Sequence, residues 1–512
     1  MHWPAKERSA LLGAALAVFA TSVQQSTWSG VTLPVQQAFK VDVQGEVLLR
    51  QLPDIAGLFA IPLVGTLGAG VSAFRIAVAA AASMLVGAVI MTAAPAFGWM
   101  VLGMSLTSIG RTMVGVLAFS AVAAAIADDA RRTAGYAMLG AAGPAAYIVG
   151  PVLGAGLLGV GGWRWVGALW MVSAFMLVLA ALWLRSVPSN PATEGRKEPW
   201  TPILAGVTLV GIVQAVGAVS LHGIGSFEAL AWIGGTLAAV AAWFGLARVL
   251  PSPSLDMRVL RIRGLLPILC VAMVAQCGDI WFYAAVLARF VHGLTPLQVS
   301  LALLVAQFAA LGGACLAGWL MPRIGLRGAG TLLLALFAAS MFVSCVQSTA
   351  LPLWITVAVL SVAGVAEIGT GVCVSKAIMV RAPKGLESPV ASCRSAATGV
   401  GNALALLLVV TSVGYAMRDS MRQQAQDHGA SPADVQQLVE AVRRNTTNTV
   451  ISRQLELTPE QTEQLRSVRR EVVVDGFQTH GLVSGIVLAI AAAGFWLVCR
   501  NPEQQAAQAS QV

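Results

Sequence analysis

Apolar runs of about twenty residues recur along the whole chain, each closed by a charge, a proline or a glycine. They fall near 10–34, 47–68, 75–94, 98–126, 133–158, 164–185, 201–221, 227–249, 264–290, 297–321, 328–348, 352–380, 390–416 and 476–499. A bilayer's hydrocarbon core, about 30 Å thick, is crossed by about 20 helical residues, so each run is long enough to span it. The pattern predicts fourteen spanning helices, with the count open by one around 201–249. The first run follows Lys6 and Arg8, but no small-residue cleavage site closes it, so an uncleaved first helix is expected.

The polar intervals orient the helices. Alternate loops carry Arg131 and Arg132, Arg185 with Arg196 and Lys197, Arg258 with Arg261 and Arg263, Arg323 with Arg327, and Arg381 with Lys384. The opposite short loops hold little more than Lys40, Arg164, Arg289 and His292. By the positive-inside rule the basic loops and both termini face the cytoplasm, which predicts a multi-pass protein of a bacterial cytoplasmic (inner) membrane. Residues 417–475 are polar, carry both signs of charge, and read as a small domain on the other side. Within it, Ser431-Pro432 with Asp434 and Thr458-Pro459 with Gln461 each give a cap, a proline and an acceptor one turn on, predicting two short helices.

Composition agrees with this class. Only 11% of the 512 residues are charged, against about 25% in a soluble domain, and 57% are apolar. The net charge of +9 sits in short clusters between apolar runs rather than along one helix face, which argues against nucleic acid. Cys270, Cys277, Cys315, Cys345, Cys373, Cys393 and Cys499 show no CxxC or Cys/His spacing, so they read as reduced core residues, with no metal or other cofactor expected.

The fifth run, GYAMLGAAGPAAYIVGPVLGAG, places Gly140, Gly143, Pro144, Gly150, Pro151, Gly154 and Gly156 at three- and four-residue spacings. Small residues so spaced let two helices approach closely, and prolines bend the helix, so tight packing alone would account for most of the pattern. The compact Gly150-Pro151-x-x-Gly154, with GGWRW at 161–165, is more specific. With it the chain resembles the major facilitator superfamily, in particular the fourteen-helix drug:proton antiporter branch that includes quaternary-ammonium-compound exporters. SLDMRVLRIR at 254–263, HGLTPLQVSL at 292–301 and VVVDGFQTHG before the last run resemble segments of that branch. Gly318, Arg323, Gly325 and Arg327 match the loop motif repeated in both halves of such proteins, with Pro322 where an acid is common.

The resemblance implies an all-α membrane protein of two six-helix bundles plus two inserted helices. Residues 1–190 would form the first bundle, 191–255 a linker with the inserted pair, and 256–512 the second bundle including the extracytoplasmic loop 417–475. Parallel halves about a central pathway follow from the logic of such repeats. The Gly-Pro signature implies exchange rather than symport. Several positions depart from the branch: GTLGAGVSAFR has Ala69 and Ala73 where an acid and a base stand, Gln25 replaces the first-helix Asp, and Arg394 and Ser395 replace acids near the start of the thirteenth helix.

Ionisable groups at membrane depth cost about 2.5–3.5 kcal/mol even on the lenient insertion scale, so each is a functional candidate. The deep ones are Arg111, Asp279 and Glu367, on runs that line the central cavity by the implied architecture. Arg111-Thr-Met-Val-Gly115 approximates the Arg-x-x-x-Gly motif of the family's fourth helix. A carboxylate in a low-dielectric cavity favours its protonated form and a nearby cation reverses that, so Asp279 and Glu367 could exchange protons for a cation; the alternative is a permanent structural pair. Gln25 and Trp28 belong to a polar, aromatic stretch suited to an amphipathic ligand, although Trp28 could equally be packing. Arg50 and Asp54 read as an interfacial ion pair, and Lys376 as a side chain reaching toward the cytoplasm.

No G-x-x-x-x-G-K-[ST] or H-E-x-x-H occurs, and no nucleophile accompanies the carboxylates, so neither an ATPase, a metalloprotease nor another enzyme is indicated. The expectation is a secondary-active, multidrug-type exporter of small, amphipathic organic molecules working by proton antiport, acting as a monomer in the lipid bilayer. Proton-coupled import, uncoupled diffusion, and a tripartite assembly with a periplasmic adaptor stand as alternatives.

Overall fold

The computed structural model describes residues 3–40, 43–68, 70–187, 198–250, 257–278, 291–294, 296–383, 385–427 and 459–499, with 281, 284, 287 and 288 between. Among them every regular element is a helix. In hydrocarbon each backbone polar group must be satisfied within its own segment, which an apolar helix achieves by itself. Nine helices among the described residues are long and apolar enough to cross a membrane, and Leu52–Thr66 and Leu265–Gly278 are shorter apolar stretches.

The first bundle consists of α1 (Ala5–Phe39), α2 (Val43–Gly68), α3 (Ala73–Ala93), α4 (Phe97–Ala125), α5 (Asp129–Gly161) and α6 (Trp163–Trp183). Within it α1 packs on α4, α5 and α6, while α3 packs on α4 and α6. The pair α7 (Trp200–His222) and α8 (Phe227–Val249) follows. The second bundle holds α9 (Leu265–Val274), α10 (Pro296–Val343), α11 (Leu353–Met379), α12 (Glu387–Asp427) and α13 (Pro459–Val498). The face where α1 begins and α13 ends is the near face, and the opposite one is the far face.

Local chemistry sets several boundaries. Asp128 caps α5: its side chain accepts from the Arg131 backbone N–H at 2.8 Å, and this bond holds its carboxyl below the usual range. Glu198 accepts from the backbone N–H groups of Trp200 and Thr201 and closes the start of α7. Ser226 caps α8 through the Ala229 N–H at 3.2 Å.

Two elements differ from expectation, and one matches it. The runs at 297–321 and 328–348 are two helices, as expected, on either side of a break at Gly325 (φ 73°, ψ 164°), a conformation glycine adopts without a Cβ clash; α10 denotes the pair. The helix starting at Pro459 does not stop outside the membrane but continues through the last span as one 40-residue rod. Helix α9 tightens into a 3-10 turn at Ala275–Gly278. Asp279 and the Ser431-Pro432 cap lie outside the described residues, as does the Arg50 side chain.

The two bundles meet through α5 against α10 and α11, and through α2 and α4 against α12. Helix α7 touches both, packing on α2 and α12 around Leu58, Ile61 and Val400. Helix α8 packs mainly on α7 and buries only Ala229 and Ala239.

Candidate functional site

The near-face half of the bundle interface is closed by named polar contacts. Lys376 of α11 donates to Asp129 Oδ2 at 2.8 Å and to Thr133 Oγ1 at 2.6 Å, both on the first turns of α5. Lys376 reaches toward the near face but ends on a partner from the other bundle rather than in water, with its side chain 10% exposed. An acidic residue in the first turn of a helix also suits the helix dipole, which gives Asp129 a second reason for its place. Beside this pair, Ser388 donates to the Gly65 carbonyl at 3.3 Å and Ser392 to the Ile61 carbonyl at 2.9 Å, tying α12 to α2.

Arg394 lies one layer deeper. Its Nε donates to Ser375 Oγ at 2.8 Å, and its guanidinium sits 3.5 Å from the Phe119 ring centroid on α4. Phe119 in turn stacks on Tyr136 of α5 at 5.9 Å, so one cation–π contact joins three helices across the interface. The same approach is permitted along α5 by glycine: a Cβ on Gly140 would strike Val372 of α11. Gly318 of the loop motif faces Ala137, whose Cβ would lie 3.2 Å from a Cβ built there.

Nearer mid-depth the groups are ionisable. Glu367 stands near the middle of α11 and accepts a hydrogen bond from Trp281 Nε1 at 2.7 Å. Arg111, near the middle of α4, reaches Asp54 Oδ1 at 3.4 Å and Ser108 Oγ at 3.3 Å. Asp54 thus meets a cation from α4, besides having Arg50 one turn away in sequence. The Asp54 and Arg111 side chains are 61% and 36% exposed, which leaves the pair accessible rather than sealed.

Gln25 is exposed on α1, on the stripe that includes Ser22. Ser22 lies 4.0 Å from a Cβ built on Gly143, so this stripe borders the part of α5 that meets the second bundle. Trp28 points elsewhere: it packs at 6.1 Å on Trp170 of α6, whose indole donates to Thr27 Oγ1 at 2.8 Å. Gly150 and Gly154 of the Gly-Pro signature face Ser26 and Thr27 of α1, and Pro151 is half-buried beside them. The signature therefore lies on α5 against α1 inside one bundle. In the second loop motif, Arg323 donates to the Trp319 carbonyl and stacks on its ring, while Arg327 donates to the Trp496 carbonyl at 2.8 Å and lies 3.6 Å from that ring. Arg327 thereby ties α10 to α13 on the near face, Arg323 folds back on its own helix, and Gly325 turns the chain between them.

The described contacts thus join Arg111 to Asp54 and Glu367 to Trp281. Sequence reasoning passed over Asp129 and Phe119. The acid in the first turn of α5, directly after a capping Asp, was the one available signal for the former; the latter carried none.

A family model described as Major Facilitator Superfamily matches residues 10–406. The methyl viologen resistance protein SmvA of Salmonella typhimurium is 22% identical over 408 residues, covering 78% of this chain and 79% of that protein. Among solved structures, the human organic anion transporter MFSD10 (TETRAN) superposes with a TM-score of 0.59 at 12% identity, over 94% of this chain and 99% of that one. The proton:xylose symporter XylE gives 0.58 at 13%, over 96% and 95%. A bacterial homolog of the human lysosomal transporter Spinster gives 0.56 at 16%, over 97% and 98%. At these identities the structural likeness shows the fold alone.

Proposed function

Because the chain belongs to the major facilitator superfamily, and is thereby a multi-pass membrane transporter rather than an enzyme, we propose that it exports small amphipathic organic compounds, cations among them, in exchange for protons. The observation that carries this reading is the Glu367 carboxylate near the middle of α11, held by the Trp281 indole at 2.7 Å. A carboxylate at that depth is costly unless it is protonated or paired, so proton and organic cation compete for one site. The Trp281 ring beside it offers a face to the ligand's charge. Asp279, two residues before Trp281 in sequence, is the second proposed carrier, and Gln25 and Arg111 are proposed to line the first-bundle side of the pathway.

Similarity to a protein of methyl viologen resistance supports efflux and an organic cation, since methyl viologen is itself one. The near-face contacts of Lys376, Ser388, Ser392 and Arg394 fit a state closed on that side. With the basic loops on the near face, we place that face and both termini in the cytoplasm of a bacterial inner membrane, with fourteen spans. The closed state is then the releasing half of an export cycle.

A second reading, transport without proton exchange, is favoured by Gln25, Arg394 and Ser395, which stand where the antiporter branch carries acids. Transport of a lipophilic cation, tetraphenylphosphonium, in inside-out vesicles separates the two. Proton-gradient-driven uptake by the native chain, lost in Glu367→Gln or Asp279→Asn, supports antiport. Equal, gradient-independent uptake in all three chains overturns it.

A further inference from the structure

Behind the inserted pair lies a crevice that the transport reading does not use. Helices α2, α4, α7 and α8 bound it, and it encloses about 660 Å³. Its walls are carbon, from Leu52, Ile55, Phe59, Leu102, Val207 and Trp232 among others. Two hydroxyls reach the lining, and both are satisfied within their own helices: Ser105 donates to the Val101 carbonyl at 2.9 Å and Thr236 to the Trp232 carbonyl at 2.6 Å. No charged residue lines it.

We propose that this crevice binds one acyl chain of a bilayer phospholipid, from the leaflet on the far face. The depth follows from the helices: the lining residues of α4, from Gly98 to Ser105, belong to its first turns, and Trp232 lies near the start of α8, both at the far end. The occupant's chemistry follows from the walls. A water would find only the lone pairs of two hydroxyls there, too few partners to hold it, and an unfilled apolar gap forfeits dispersion contacts on every side. Continuity with the bilayer-facing surface identifies the source. Leu52, Leu102, Val207 and Trp232 line the crevice and are also 40%, 46%, 43% and 42% exposed, so its lining runs outward into the surface that lipid covers. Because α8 rests mainly on α7, the acyl chain fills the space between α8 and the first bundle and cements the two.

Two adjacent glycines of α8 supply the test. A Cβ on Gly235 or on Gly234 would meet nothing within 4 Å, but only Gly235 lines the crevice. Gly235→Leu therefore fills it without a clash, Gly234→Leu is the matched control, and leucine favours the helix over glycine in both. The full chain, reconstituted with phosphatidylethanolamine and phosphatidylglycerol, is released from detergent and its retained phospholipid is counted by native mass spectrometry. The native chain and Gly234→Leu are expected to keep one phospholipid more than Gly235→Leu, whichever headgroup is supplied. Equal retention by all three, or none by the native chain, overturns the proposal. So does a dependence on one headgroup, which walls without charge cannot produce, or displacement of the lipid by tetraphenylphosphonium, which would give the crevice to a transported compound. Ala56→Leu, on the opposite wall, repeats the measurement if Gly235→Leu fails to fold. Lipid retention is read without transport, so the result stands apart from the proposed function.

Discussion

Breaking the Lys376–Asp129 contact from its two ends is expected to give unequal results, because one end is buried and the other is not. The Lys376 side chain is 10% exposed and that of Asp129 is 69% exposed, at an N–O distance of 2.8 Å. Hydrogen bonds to charged groups contribute about 1.5–3 kcal/mol, and exposure of the carboxylate screens this pair toward the lower end. In Lys376→Met nothing is left stranded: Asp129 is hydrated, and Thr133 still donates to the Asp129 carbonyl at 2.7 Å. The expected shift toward near-face opening is about 1 kcal/mol, or roughly fivefold. Asp129→Asn instead leaves a buried ammonium without its counter-charge. Removing one partner of a fully buried pair costs about 3–5 kcal/mol, and for this half-exposed pair about 2 kcal/mol, or about thirtyfold, is expected. The double variant should follow Lys376→Met, since the stranded charge is then gone. Distances between spin labels at Ala130 and Ala382, in a background with the seven cysteines replaced, report the populations. An Asp129→Asn shift equal to or smaller than that of Lys376→Met, or a double variant more open than Asp129→Asn, refutes the reasoning.

Two other sites invite direct measurement. A Cβ on Gly150 collides with Ser26 Oγ, which donates to the Ala146 carbonyl at 3.2 Å, so Gly150→Ala should lower thermal stability by about 1–3 kcal/mol, and adding Ser26→Ala should recover part of it; no recovery would mean that the clash lies elsewhere. The Asp128 carboxyl is held below its ordinary value of 3.8, chiefly by the Arg131 backbone N–H, so its stabilisation is present above that value and is lost as pH falls through the lower folded one. Exchange of the Arg131 amide, corrected for intrinsic rate, should accelerate only in that acid window, and Asp128→Ala should abolish the pH dependence.

The all-helical, membrane-spanning class was legible because a twenty-residue apolar run in lipid has one stable conformation, while the caps at Asp128 and Ser226 were not singled out. What escaped was contact between distant segments. The i,i+4 spacing of Arg50 and Asp54 suggests a pair within one helix, yet Arg111 arrives from α4, 57 residues on. Lys376 was read only as reaching toward the cytoplasm because nothing near it in sequence is acidic; its partner Asp129 is 247 positions away. One break was misjudged and one was not. Gly325 separates two helices as expected, its φ of 73° making the turn in one residue, whereas Pro459 was read as opening a short helix and instead begins one that continues through the last span. The deep ionisable groups were singled out from depth alone, and Glu367 has the aromatic neighbour that the sequence placed beside Asp279.

Helices α12 and α13 run for 41 and 40 residues and pack on each other. At 1.5 Å per residue each is about 60 Å long, twice the thickness of the hydrocarbon core, so the pair stands out from the far face as a mast rooted in the second bundle. A mast amplifies: it projects about 30 Å beyond the core, so a tilt of about 10° where it leaves the bundle would carry its tip through about 5 Å. Motion too small to resolve among packed helices would be written large at Asp427 and Pro459, where a fluorophore or an antibody fragment could read the state of the buried pathway from outside the bilayer.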